Sequence, residues 1–394
     1  MGQSSSSRRR PRIRRPSRLR KPFRLRKSKS SVPGPREANP QLPCFISMGM
    51  FALDEIRYPN QAPSKSIPGG AGLWATFGAR LFKPGPLSTE VGCIMVARKD
   101  FPPSLLRTLE SWNMKMVVNH NTRPCTRTCL DYKDILATKT VSHLNWPLEP
   151  RIVDLDGSEL LGARSFHFLC LPSEVKRNCA VLGNLRCARG FGHHRPLIVW
   201  EPACAACEPD NLKNVLDVLP LVDVFSPSHE ELIDLTIGKS KLLSNFSHEL
   251  IQKQAGIFTK AGIGPHRNGL IVVRCGPYGC FYMKSEKEMG WVRPFYDRGR
   301  PEVKDVTGAG SAFLGAFTVS FEATGDVKES CLRGTLAAAF ALEQFGLPVY
   351  SNKAAKPNRY LPPFRGETWN NENPFFSLGL KEIQPDMFFT KSFP

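Results

Sequence analysis

Short β-branched runs alternate with amphipathic helical stretches through most of this chain, and that alternation narrows the available folds more than any other feature. Residues 45–50, 90–96, 114–118, 165–171, 197–200, 223–225 and 270–274 read as strands. Residues 70–81, 103–113, 211–218 and 230–235 read as helices between them. Parallel strands need a crossover of a dozen or more residues, usually a helix. The pattern therefore predicts an α/β fold, a three-layer sandwich with a mainly parallel central sheet and no internal repeat. Two stronger helices close it. Residues 311–323 set Phe313, Ala316, Phe317 and Phe321 on one stripe, and 332–345 stop at Gly346 with Pro348 beyond. The alternating stretch 123–132 suits a small β flap, placed near 55–68 and 115–135.

Charge divides the chain. Residues 1–36 hold 14 of the 54 Lys and Arg and no acid, so the other 40 basic residues face all 35 acidic ones. The net charge of +19 thus describes a tail and gives no support to a nucleic-acid-binding fold. Residues 1–43 lack the apolar pattern needed to offset ordering entropy, and a disordered basic Arg/Ser/Pro-rich tail is expected. Residues 351–394, Pro-rich with six phenylalanines, read as a C-terminal tail or a docked strap. The compact domain is expected at 44–350. No run of 18 apolar residues is present, which excludes a membrane-spanning helix of that kind. Twelve cysteines without a framework spacing read as reduced thiols.

The segment Asp305-Val306-Thr307-Gly308-Ala309-Gly310-Ser311 runs from a turn straight into an amphipathic helix. Successive small residues let backbone amides converge at the positive helix end, an arrangement that suits a phosphate. A tight turn that needs glycine only for steric reasons is the competing reading.

Asp-x-Thr-Gly-Ala-Gly resembles the C-terminal signature of the pfkB carbohydrate kinase (ribokinase-like) superfamily, and other pieces follow in that family's order. They are Gly49 to Asp54, Gly69-Gly70-Ala71-Gly72, Trp200-Glu201-Pro202, Ser228 to Glu231, and Arg274-Cys275-Gly276-Pro277-Tyr278-Gly279. The details look most like a fungal, maintenance-of-killer-type branch. The resemblance implies a ribokinase-like fold and an ATP- and Mg2+-dependent kinase acting on a carbohydrate- or nucleoside-like acceptor that it does not identify. It places Gly308, Ala309, Gly310 and Ser311 at the reaction centre, and Arg274, Gly276, Gly279 and Thr307 around the nucleotide. Residues 337–341 would flank its base. Asp54, Gly69, Gly70 and Trp74 fall on the acceptor side, and Glu231 would order magnesium-bound water.

Three positions depart from the family pattern. Its general base, the Asp after Gly-Ala-Gly, is here Ser311, and losing such a base typically costs on the order of 10²–10⁴ in rate. Asp54 and Asp305 are the candidate replacements. The sugar-binding Asn is Trp74, and the Asn of Asn-x-x-Glu is Ser228. Two readings follow: an impaired ATP-dependent kinase, or a pseudokinase acting as a nucleotide- or partner-binding scaffold. For the fungal branch, such a scaffold would serve maintenance of double-stranded RNA virus-like particles.

Other signals carry less. Gly238-Lys239-Ser240 lacks the strand and first glycine of a phosphate loop. Cys204 with Cys207, and Cys125 with Cys129, read as ordinary loop cysteines, His193-His194 as solvated, and His167 as a core histidine. Asn245 fits a glycosylation acceptor without a secretory signal to give it meaning. The start Met1-Gly2-Gln3-Ser4 fits myristoylation, a transit peptide or a weak membrane or nucleic-acid contact through residues 1–36. An incidental solvated extension is the fourth reading. The expected compartment is the cytoplasm, with mitochondrial or membrane-surface targeting as the competing readings. The oligomeric state is not legible.

Overall fold

The computed structural model describes residues 1–2, 42–97, 100–120, 122–132, 139–238, 246–350 and 368–369. The chain divides into two units, Met1–Arg36 and Glu37–Pro394. Readings of the basic tail beyond Gly2, of Lys239-Ser240, of Asn245 and of most of 351–394 lie outside the described residues.

Among the described residues, nine strands form the main sheet. Across it they run β13 (Glu288–Val292), β12 (Cys280–Ser285), β11 (Leu270–Arg274), β10 (Val224–Phe225), β9 (Leu197–Pro202), β8 (Ser165–Cys170), β1 (Phe45–Ser47), β4 (Val91–Ala97) and β5 (Lys115–His120). From β11 to β5 every pairing is parallel; β12 and β13 extend one edge antiparallel. Period-2 alternation sends neighbouring residues into opposite layers. Ile198 and Trp200 of β9 enter one core, Leu197 and Val199 another.

Helices α3 (Pro172–Ala188), α4 (Leu212–Val218), α5 (His229–Ile237) and α6 (His248–Ala261) cover the Trp200 face. The opposite face is covered by α1 (Ala71–Leu81), α2 (Pro103–Ser111), α7 (Ala309–Thr324) and α8 (Val327–Leu342). Among the described residues no helix is long and apolar enough to cross a membrane.

Backbone contact locks α1 to α7. A Cβ on Gly78 would lie 1.9 Å from the Ala312 carbonyl oxygen, and one on Gly315 would lie 1.9 Å from that of Ala75. Neither neighbour is a flexible side-chain tip, so Gly315→Ala must push the helices apart. We expect it to destabilise the domain by about 2–3 kcal/mol, read as a lower urea midpoint at unchanged slope.

A second sheet runs β3 (Ser64–Gly69), β2 (Ala52–Arg57), β6 (Arg127–Tyr132) and β7 (Lys139–His143). It is the expected flap, with one correction. Residues 115–120 pair with β4 as the edge of the main sheet, and flap pairing resumes only at Arg127. The first strand is also shorter than its apolar run, because the chain turns after Ser47 so that the Met50 carbonyl accepts from Gly72 N at 3.0 Å. Near the C-terminus β14 (Val349–Tyr350) pairs in parallel with β15 (Thr368–Trp369).

Candidate functional site

Ser47, Glu201 and Arg274 stand at or near the C-terminal ends of β1, β9 and β11, where open α/β sheets bind ligands. Helix α7 starts beside them. Its N-cap, Gly308, has φ +80°, and a Cβ there would lie 2.2 Å from three ring atoms of Trp74. Glycine is therefore needed twice, for a left-handed backbone and for lying flat on the indole. Among the described residues no acceptor meets the amides of Gly308, Gly310 or Ser311. Ala309 N makes only a long bond, 3.4 Å, to the Val306 carbonyl.

Behind these amides lies a buried polar chain. Ser311 Oγ donates to Glu201 Oε2 at 3.0 Å, and His167 Nε2 reaches the same oxygen at 3.1 Å. With Nε2 donating, a neutral His167 accepts at Nδ1 from Ser47 Oγ, 2.9 Å away. Arg274 Nη1 donates to Glu201 Oε1 at 2.7 Å, and Nη2 to the Ser226 carbonyl at 3.0 Å. Burial alone would push the Glu201 carboxyl up, but Arg274, His167 and Ser311 together bring it down to about 2. For Arg274, burial opposes the charged form, and Glu201 and Glu231 outweigh it, so its affinity for the proton is raised. The carboxylate that Ser311 meets is thus Glu201.

Glu231 is already committed. Its Oε2 accepts from Ser228 N at 2.7 Å and lies 3.4 Å from Arg274 Nη2, while Oε1 accepts from the Cys204 thiol at 3.2 Å. With Ser228 Oγ accepting from Glu231 N at 3.1 Å, this is a capping box that starts α5. Cys204 is exposed and Cys207 buried. Among the described residues all twelve cysteines are free, and no three His, Cys, Asp or Glu form a group that could hold a metal ion.

The acceptor-side residues are packed inward. Asp54 is 3% exposed, accepts from Thr128 Oγ1, and folds so close over Gly69 that a Cβ there would meet Oδ2 at 1.8 Å. Gly70, at φ +90°, caps α1. Trp74 is 1% exposed, edge-on to Phe77, with its Nε1 lacking an acceptor among the described residues.

The flap reaches the glycine loop through two stacked tyrosines, Tyr58 and Tyr132, with centroids 4.8 Å apart. Tyr58 donates to Asp305 Oδ1 at 2.9 Å, and Tyr132 pairs with Thr307 Oγ1 at 2.9 Å. Burial and the nearby Asp305 push the Tyr58 phenol up. The Thr307 hydroxyl, expected at the nucleotide, is thus occupied by the flap. On the other side Gly276–Tyr278 forms a 3-10 turn, with open space beyond Gly276, and Gly279 closes it against the Val292 carbonyl. The stretch of α8 expected to flank the base is mostly core, since Ala337, Ala339 and Ala341 are fully buried.

Three residues of this centre escaped the sequence-level site assignment: Glu201, His167 and Ser47. A signal existed for Glu201, since the alternation that buries Trp200 against α3–α6 turns it towards α7. His167 is fully buried as expected, yet it joins the polar chain to Glu201, while His193 and His194 are exposed.

A family model described as pfkB family carbohydrate kinase matches residues 201–352, which contain Glu201, Glu231, Arg274 and the start of α7. By that match and by its fold, the chain is similar to the pfkB carbohydrate kinase superfamily. It is 29% identical over 355 residues to an uncharacterized protein of Schizosaccharomyces pombe, covering 85% of this chain and 91% of that one. It is 25% identical over 327 residues to Protein MAK32 of Saccharomyces cerevisiae, covering 77% and 86%. Among solved structures, an Escherichia coli ribokinase II-type protein in complex with ATP and Mg2+ aligns with a TM-score of 0.53. Identity there is 17%, covering 77% of this chain and 94% of that one.

Proposed function

We propose that this pfkB-like chain is a nucleotide-binding, small-molecule phosphotransferase whose transfer step is impaired. The observation that carries the reading is the convergence of donors at α7. The amides of Gly308, Gly310 and Ser311, unpaired among the described residues, lie in the turn against which the Arg274 guanidinium packs, and together they would stabilise charge on a moving phosphoryl group. ATP fits this donor set. Magnesium does not fit the carboxylates, because Glu201 and Glu231 are both paired to Arg274.

Proton removal is the weak step. Ser311 donates its proton to a carboxylate held at about 2, and such a carboxylate is a poor acceptor near neutral pH. A second reading, a silent scaffold that binds nucleotide or a protein partner, draws support from the burial of Asp54 and Trp74 where an acceptor would lie.

Calorimetric titration with ATP, followed by turnover assays on a panel of sugars and nucleosides, separates the two. Binding with slow turnover supports the phosphotransferase, binding without turnover selects the scaffold, and no ATP binding removes both nucleotide readings.

A further inference from the structure

We propose that the oxyanion site carries its own cation, Arg274, and binds phosphate groups without a divalent metal. The proposal rests on the anion-site reading of α7 and adds to it the identity of the positive charge.

Two acidic side chains border the site, and one guanidinium spans them. Arg274 Nη1 lies 2.7 Å from Glu201 Oε1 and Nη2 lies 3.4 Å from Glu231 Oε2. The same Nη1 stands 2.3 Å from where a Cβ on Gly310 would sit, so the charge is packed against the first turn of α7. The Arg274 side chain is only 13% exposed, and its Nε is buried with no acceptor among the described residues. A guanidinium is therefore packed against the turn that carries the unpaired amides. Arg presents a planar, permanently charged fork that suits phosphate oxygens.

A hydrated divalent ion would compete with that fork for the same carboxylates. Glu231 could release neither oxygen without breaking its bond to Ser228 N or to Cys204, and Glu230 is turned to His229 at 3.0 Å. In this low-dielectric setting a second cation beside Arg274 would be repelled more strongly than in water. Guanidinium and metal are alternatives here, and the side chains favour the guanidinium.

The test uses the full chain and two probes, inorganic phosphate and ATP, each titrated calorimetrically in EDTA and in excess MgCl2. The expected result for ATP is affinity that differs less than threefold between the two conditions. Phosphate binding in EDTA would assign the site to the bare oxyanion; ATP binding alone would assign it to the nucleotide's terminal phosphate, and either supports the proposal. A loss of tenfold or more in ATP affinity on chelation overturns it while leaving the proposed function standing. Failure of both probes in both conditions overturns the two together. A second arm needs no change at Arg274. Glu231→Gln keeps the capping geometry and removes one negative charge, so ATP should bind as well or several-fold tighter in either condition. A metal-positioning role for Glu231 would instead weaken binding in MgCl2 by tenfold or more, and that outcome would also defeat the proposal.

Discussion

Replacing Arg274 by methionine is expected to destabilise the domain by about 3–5 kcal/mol, because Glu201 is left as an uncompensated charge in the core. In a domain of this size that corresponds to a melting temperature lower by about 10 °C. The pH dependence separates this cause from lost packing. In the original protein Glu201 is held at about 2 against an ordinary 4.5. A lowered carboxylate contributes stability that is complete above its unfolded value and drains away as pH falls towards its folded value. The original protein should therefore lose stability between about pH 4.5 and 2. Without Arg274, burial wins and the carboxyl is protonated early, so the gap between the two proteins should narrow across that window. Urea midpoints measured at pH 7, 4.5 and 3 check this. A gap independent of pH would assign the loss to the methylene stem of Arg274 instead.

Ser311→Asp, the substitution that restores the family's base on paper, is expected to cost stability on the order of 3 kcal/mol without raising turnover. The hydroxyl it removes donates to Glu201 Oε2 at 3.0 Å. An aspartate there would face a buried, ionised carboxylate in place of the donor it had, and two such groups at hydrogen-bond distance cannot both ionise. The new group would be neutral, hence no base, or the local packing would open. The companion change is Glu201→Asp, which retracts the competing carboxylate by one methylene. The double variant should recover much of the lost stability, giving a coupling energy of about 1–2 kcal/mol in a double-mutant cycle. Additive losses would show that Ser311 and Glu201 do not act as a unit.

Much of the fold was legible from local pattern. The run 270–274 coincides with β11, and the start of α7 follows from a glycine pair leading into an apolar stripe. Burial on both faces makes parallel strands read as continuous apolar runs, and six of the seven announced themselves this way, whereas β5 is only half-buried. The exposed flap was visible only as a window, and part of that window, 115–120, was claimed by the main sheet. Periodicity can propose a strand there, but not the sheet that wins it.

The site divides in the same way. Gly308-Ala309-Gly310 could be singled out because a positive φ and converging amides demand small residues locally. That Arg274 would occupy the ground between Glu201 and Glu231 could not, since the three are separated by 73 and 43 residues and meet only when β9, β10 and β11 align. Sequence by itself determined the layered α/β architecture and the glycine turn that starts α7, because both follow from neighbours along the chain. Tertiary structure alone decided which charges stand beside that turn, because ion pairing in a buried cleft depends on distances that only the closed sheet sets.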